Sequence, residues 1–343
     1  MTSECCKISH LAHQVPEFKN ILVIHFGQLG DVVLGVPALR AIRDHFPLSK
    51  ITVASGKSTS EIIRLAAVAD DQIAVDRVAL RDGNKFTSIA EVGRIVRDVR
   101  RRKFDFVIDL NSLYETNLLG FLSGAKYRLY ENRENRSISF LSHFPVKPPA
   151  EDKSKHHTDR YLAVLKALGV DNVERSFKIT APADTVDAAR SLLKKYGVEN
   201  RSLIGLFLGA GHPTRRWSID NFADVARRLS QQAQNQVLVF LGPEESDIRP
   251  GADKAFGDCA IVVEALPLAS FFAILSCLKV LVSGDTGPMH LGAAAGTGIV
   301  LLSEIGSPTI FRPLIDNLRV LDDRPLDQIT VEQVENAVIE LLG

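Results

Sequence analysis

Short apolar runs alternate along the chain with segments that have the spacing of amphipathic helices. The apolar runs, which predict buried strands, cover residues 21–26, 51–54, 104–110, 203–208, 237–241, 261–263, 280–282 and 299–302. Helical segments are predicted at residues 37–45, 88–102, within 111–124, 158–168, 219–229, 268–278 and 291–296. Because strands and helices alternate in both halves, the pattern predicts an α/β protein with two doubly wound, Rossmann-like domains that face each other.

Three local signals predict where helices begin. Pro37 suits the first position of a helix, because its fixed φ is helical and its missing N–H would have no partner there. Ser88 and Glu91 have the spacing of a capping box, as do Thr330 and Gln333 before the last periodic segment. These signals predict helices that begin at Pro37, near Ser88 and after Thr330.

The two α/β halves are joined in the region of residues 171–200. We predict a flexible N-terminal tail at residues 1–19, an N-terminal domain at 20–175, a C-terminal domain at 176–325 and a C-terminal helix at 326–343. The chain has no internal repeat of short period.

Composition and charge narrow the function classes. Of the 343 residues, 45% are hydrophobic and 24% charged, which is typical of a globular protein. Lys plus Arg and Asp plus Glu both number 41, so the net charge gives no reason to expect nucleic-acid binding. The four cysteines have neither metal-ligand nor disulfide-framework spacing, and the sequence has no membrane span or signal peptide.

We therefore predict a cytoplasmic protein. Cys5 and Cys6 could be lipidated or redox-active, but the favoured interpretation is that they belong to an ordinary flexible tail.

The turn after the first strand carries two glycines and a carboxylate. Gly27 and Gly30 let the backbone approach a ligand closely, which makes Gly30 a candidate donor-binding residue. Asp31 is a candidate general base, and the alternative is that it only caps the following helix. The turn lacks the Gly-x-Gly-x-x-Gly pattern, which argues against a dinucleotide-dependent oxidoreductase.

A polar corner at residues 283–290 lies between an apolar run and a helical segment. Asp285, Thr286, Gly287 and His290 place a carboxylate, a hydroxyl, backbone N–H groups and an imidazole at a predicted helix start. Unpaired N–H groups there favour an anionic ligand. The alternative is a polar cap with a structurally satisfied histidine.

Two further strand ends carry charged residues. Arg215 and Arg216 follow the run at residues 203–208 and are candidate phosphate contacts, or else a solvated pair beside Trp217. Glu244 and Glu245 follow the run at residues 237–241. Glu244 is the candidate ribose contact and Glu245 is the alternative; otherwise both are surface carboxylates. Together the loops predict a nucleotide diphosphate bound by the second domain, a base on the first, and chemistry between them.

The motifs together resemble glycosyltransferase family 9, the ADP-heptose:lipopolysaccharide heptosyltransferases. Residues 26–34 with 37–40, residues 215–217 and residues 284–291 carry the similarity, which extends in the expected order from Ile21 to the last helix. Arg215 stands where the family usually has lysine, and Ser218 replaces a usual proline. Residues 303–309 depart from the usual Phe-Gly-x-Thr.

The resemblance implies a GT-B fold, an inverting mechanism, and no required metal or cofactor. Asp31 matches the family's proposed base, and Asp285, Thr286, Gly287 and His290 match its nucleotide-sugar contacts. The N-terminal domain would then be the acceptor side and the C-terminal domain the nucleotide-sugar side. ADP-heptose would be the donor and the lipopolysaccharide inner core the acceptor, at the cytoplasmic face of the inner membrane.

The sequence leaves three alternatives open. Arg94, Arg97 and Arg101 on one helix either contact that membrane peripherally or form a solvated face. The donor is either ADP-heptose or another nucleotide sugar used in surface polysaccharide assembly. A third alternative is a nucleotide-sugar binding protein without catalysis, against which Asp31 and His290 argue.

Overall fold

The chain folds into two units, each built around its own parallel sheet. The computed structural model describes residues 17–82, 84–198, 200–210, 212–242, 245, 247–263 and 265–343. The first unit ends at Ser176 and the second begins at Phe177. Cys5, Cys6 and Glu244 lie outside the described residues.

The first unit has a five-stranded sheet. Its strands are β1 (Asn20–His25), β2 (Lys50–Gly56), β3 (Asp71–Val75), β4 (Phe106–Asp109) and β5 (Tyr127–Tyr130). Its helices are α1 (Leu29–His45), α2 (Ser60–Ala66), α3 (Arg77–Asp82), α4 (Lys85–Arg101), α5 (Tyr114–Leu122) and α6 (His157–Leu165). All neighbours pair in parallel, in the order β3-β2-β1-β4-β5. The order therefore reverses direction between β1 and β4, and the crevice at such a switch point is the usual ligand site of an open α/β sheet.

The second unit has a six-stranded sheet. Its strands are β6 (Ser202–Phe207), β7 (Asn235–Phe240), β8 (Ile261–Val262), β9 (Val280–Gly284), β10 (Gly298–Leu302) and β11 (Leu318–Leu321). Its helices are α7 (Ala183–Lys195), α8 (Ile219–Leu229), α9 (Arg249–Phe256), α10 (Leu268–Leu275), α11 (Gly287–Ala295) and α12 (Val331–Leu342). The parallel order β11-β10-β9-β6-β7-β8 places the switch point between β6 and β9.

The central strands are buried because helices cover both faces of each sheet. The four residues Ile21–Ile24 of β1 and the three residues Val280–Val282 of β9 have no exposed surface. This explains why these strands are continuous apolar runs in the sequence rather than alternating ones. The predicted doubly wound α/β architecture is confirmed in both units.

Two predicted helix starts were wrong. Helix α1 begins at Leu29, and Pro37 lies inside it, because Gln28 and Asp31 form the N-terminal capping interaction two turns earlier. Helix α4 begins at Lys85, so Ser88 is not its cap, and Glu91 instead forms an i,i+3 ion pair with Arg94 at 2.6 Å.

The last helix begins as predicted, since Thr330 and Gln333 form a reciprocal capping box. The strands β3, β5 and β11 and the helices α2, α3, α7 and α9 were not predicted. Among the described residues, no helix is both long and apolar enough to cross a membrane.

Candidate functional site

The first candidate site lies where β1 ends beside β4. Asn111 lies two residues after the end of β4, and its Oδ1 accepts a hydrogen bond of 2.6 Å from the backbone N–H of Phe26. The same oxygen lies 3.1 Å from Nδ1 of the fully buried His25. One side chain thus holds the two residues that enter the predicted turn, at the switch point of the first sheet.

Asp31 occupies the third position of α1 and is half-buried. Its Oδ2 accepts the backbone N–H of Gln28 at 2.9 Å, so the predicted capping interaction exists. An ionised carboxylate has about four lone-pair positions, and this bond uses one of them. Capping and proton abstraction are therefore compatible roles for the same side chain.

Gly27 and Gly30 lie on either side of the start of α1. A Cβ on Gly27 would lie 2.5 Å from the Cβ of Asp31, closer than van der Waals contact allows, so Gly27 is required for this turn. Gly30 is half-buried in the first turn of the helix.

Two histidines and a tyrosine lie near Asp31. The ring of Tyr161 on α6 is 4.8 Å from His25 and 5.1 Å from His157. Burial lowers the pKa of His25, although the charge of Asp31 opposes this shift, and burial also lowers the pKa of His157. Both imidazoles are consequently neutral at pH 7, and the His25 Nδ1 proton is directed at Asn111.

A buried charge network lies on the other side of Asn111 and was not predicted. Arg133 donates from Nη1 to the carbonyl of Asn111 at 2.6 Å and pairs with Glu151 at 3.1 Å. Arg160 pairs with the same Glu151. Burial raises the pKa of Glu131 to about 7, against the opposing effect of Arg133 and Arg160. The sequence shows that charged residues follow β5, but only the fold determines which of them form ion pairs with each other.

The second candidate site lies between the ends of β6 and β9. Thr286 is the N-cap residue of α11, and Gly287 is the first helical residue. The Thr286 hydroxyl does not cap the helix but lies 3.1 Å from the Ser283 hydroxyl. The first backbone N–H groups of a helix have no intrahelical partner. They form an anion-binding feature at the switch point of the second sheet.

Asp285 is an exposed residue just before this helix. Partial desolvation of its carboxylate raises its pKa, and the positive charges of Arg215 and Arg312 counteract the shift. Arg312 follows β10, forms an ion pair with Asp322, and was missed by the sequence analysis because the segment around it had no recognised motif.

The two candidate arginines differ in their exposure and in their partners. Arg215 is exposed, and its carbonyl oxygen lies 3.9 Å from the position of a Cβ on Gly284, so it adjoins the end of β9. Arg216 is mostly buried and pairs with Asp247 at 3.2 Å and with Glu245 at 3.7 Å. Trp217 is buried, and its Nε1 donates to the carbonyl of Ile329 at 3.1 Å. Arg215 is therefore the more available phosphate contact.

Glu245 lies between two strand ends rather than at the surface. It is 4% exposed. A Cβ on Gly209 or on Gly242 would come within 2.5 Å of its carboxylate, so the two glycines make room for this side chain. His290, in the first half of α11, is also buried.

Comparisons with known proteins identify a matching family and several similar proteins. Residues 92–335 match the model of glycosyltransferase family 9 (heptosyltransferase). Lipopolysaccharide heptosyltransferase 3 of Escherichia coli (strain K12) is 24% identical, over 84% of this chain and 83% of that protein.

Solved structures show the same fold over nearly the whole chain. A glycosyl transferase family 9 protein from Veillonella parvula has a TM-score of 0.83 and 26% identity, covering 94% of this chain and 97% of that one. E. coli heptosyltransferase WaaC, solved with ADP, has a TM-score of 0.76 and 18% identity, covering 94% and 99%. The predicted GT-B class, with two Rossmann-like domains, is confirmed; the facing of the domains stays a prediction.

Proposed function

Since the chain belongs to glycosyltransferase family 9 and is therefore a glycosyltransferase, we propose that it transfers a heptosyl group from ADP-heptose to the lipopolysaccharide inner core. The observation that carries this proposal is topological. Candidate residues follow the strands that flank the switch point of each sheet: Asp31 follows β1, Arg215 follows β6, and residues 285–287 follow β9. Ligands of open α/β sheets bind at such positions.

The second unit supplies the donor site in this proposal. The N–H groups at the start of α11, next to Thr286 and Gly287, and the guanidinium of Arg215 bind the diphosphate. Asp285 and His290 complete the site. Glu244 or Glu245 accepts hydrogen bonds from ribose, and the burial of Glu245 favours a role in shaping the loops. The resemblance to a protein solved with ADP supports adenine as the base.

The first unit supplies the acceptor site and the base. Asp31 removes the proton of the acceptor hydroxyl while the anomeric carbon develops positive charge and the ADP leaves. The oxygen of the acceptor bonds to the anomeric carbon from the side opposite the leaving diphosphate, so the configuration inverts. Arg215 and the helix N-terminus stabilise the charge that develops on the diphosphate.

Calorimetric titration with ADP, UDP, GDP and ADP-heptose tests the donor assignment. We expect selective binding of the two adenine ligands. Arg215→Ala should weaken ADP binding by about 10- to 100-fold, which corresponds to roughly 1.5–3 kcal/mol for a charge-assisted hydrogen bond. Arg190→Ala is the matched control, since Arg190 is exposed on α7 and pairs only weakly with Asp187 at 3.5 Å. A preference for UDP or GDP would keep the glycosyltransferase activity and assign another nucleotide sugar.

A further inference from the structure

The first unit contains a large cavity that the proposed mechanism does not use. It has a volume of about 1150 Å³, which is slightly above the usual range of about 300–1,000 Å³ for small-molecule sites. Its lining starts at Gly27, Gln28 and Leu29, the turn that carries the start of α1, and extends between α4 and α5. The cavity therefore begins within a few residues of Asp31.

The two ends of the cavity differ in polarity. At the strand ends it is lined by Gln28, Lys57, Ser58, Asp76 and Arg77. Between the helices it is lined mostly by apolar residues, namely Val92, Ile95 and Val96 of α4 and Leu118, Leu119 and Leu122 of α5, with Glu115 of α5 as a charged residue among them. A ligand that fits both ends is amphiphilic.

The charged residues at the polar end have partners within the unit. Lys57 pairs with Asp76 at 3.6 Å, and Arg77 donates to the carbonyl of Phe26. This end consequently offers hydrogen-bond donors and acceptors to a hydroxyl-bearing group.

The apolar end contains large side chains that remain exposed. Val92 is 50% exposed and Leu118 is 46% exposed, although both line the cavity. Contiguous apolar surface around a concave site marks a place where an apolar ligand is buried.

From this gradient we infer that the cavity binds the hydrocarbon chain of an amphiphilic acceptor, with the chain between α4 and α5 and a hydroxyl-bearing part beside the turn that carries Asp31. The inference rests on the proposed glycosyl transfer and adds a hydrocarbon part to what the enzyme recognises. The enzyme then selects acceptors by an apolar segment as well as by the sugar that receives the new bond.

Calorimetric titration with n-butyl, n-hexyl and n-octyl β-D-glucosides, and with glucose, tests this inference below the micelle concentration of each glucoside. A fully buried methylene strengthens binding by about fourfold. We expect saturable 1:1 binding that is at least about tenfold tighter for the octyl than for the butyl glucoside. Equal affinity across the series would overturn the inference.

Variants at two positions of one helix distinguish binding in the cavity from general adhesion to the surface. Val92→Asp places a carboxylate in the cavity wall and should abolish the dependence on chain length. Ile89→Asp is the matched control, because Ile89 is 70% exposed on the same helix and does not line the cavity. Equal loss in both variants would also overturn the inference. Val92→Trp, which fills the cavity without adding charge, should weaken octyl glucoside binding as well.

Nucleotide titration of the same samples distinguishes the two proposals. Loss of chain-length dependence with intact ADP binding is a failure of the cavity assignment alone. Chain-length-dependent binding without nucleotide binding supports the hydrocarbon site and contradicts the proposed donor.

Discussion

Gly35 on α1 lies directly against the imidazole of His25 on β1. A Cβ on Gly35 would be 2.2 Å from Nε2 of His25, well inside van der Waals contact. His25 has no exposed surface, and its Nδ1 lies 3.1 Å from Asn111 Oδ1, so the ring has no space to move away. The missing side chain at residue 35 therefore sets how closely α1, and with it Asp31, approaches the end of the strand.

Replacement of Gly35 tests this contact. In an exposed helix, Gly→Ala stabilises a protein by up to about 1 kcal/mol. We expect Gly35→Ala to lower the free energy of unfolding by about 1–3 kcal/mol instead, because overpacking dominates. Gly93→Ala on α4 is the control, since no atom lies within 4 Å of its Cβ position, and it should be stabilising. Urea unfolding measures both, and stabilisation by Gly35→Ala would contradict the contact.

The Asp31→Asn variant separates the base from the cap. Asparagine keeps an oxygen that accepts the Gln28 N–H, so the free energy of unfolding should change by less than about 1 kcal/mol. It cannot act as a base, so kcat should fall by about 10²–10⁴. ADP affinity should stay unchanged. Full turnover by Asp31→Asn would show that the residue is only a cap.

The Asn111→Ala variant tests the support of the turn. It leaves the partly buried Phe26 N–H and the His25 Nδ1 proton without their acceptor, which should cost roughly 2–4 kcal/mol of unfolding free energy. A lower kcat should accompany it, since Asp31 follows the loosened segment. Asn111→Asp restores an acceptor oxygen and should recover most of the stability. Failure of this rescue would show that the amide N–H₂ group matters more.

Glu131 should make stability depend on pH. Its pKa is raised from the ordinary 4.5 to about 7 in the folded state, so between these values the folded chain binds more protons than the unfolded chain. Its contribution to stability is therefore present below about pH 4.5 and is lost as the pH rises through about 7. Glu131→Gln should remove this loss, which is roughly 3 kcal/mol at most. Urea unfolding at pH 5 and pH 8 compares the two proteins. An identical pH dependence would contradict the assignment.

Local patterns predicted most of the elements and both candidate sites. Continuous apolar runs such as Ile21–Ile24 identify strands buried on both faces, since a single covered face would alternate. Reciprocal capping by Thr330 and Gln333 acts within four residues and is equally local. The same dependence on local signals explains the two wrong helix starts. Pro37 and Ser88 are residues that often begin helices, but here the helices begin earlier in the chain, one at Leu29 with Asp31 as a capping residue and the other at Lys85.

The sequence by itself determined which loops follow strands and which polar residues they carry. Only the tertiary structure decided which of these loops are neighbours, because strand order has no local signal. It brings Asn111 to Phe26 across 85 positions, sets Glu245 between Gly209 and Gly242, and places Arg312 near Asp285. Burial has the same origin. Arg215 and Arg216 are adjacent in sequence, yet the packing of the second unit leaves one exposed and pairs the other with Glu245 and Asp247.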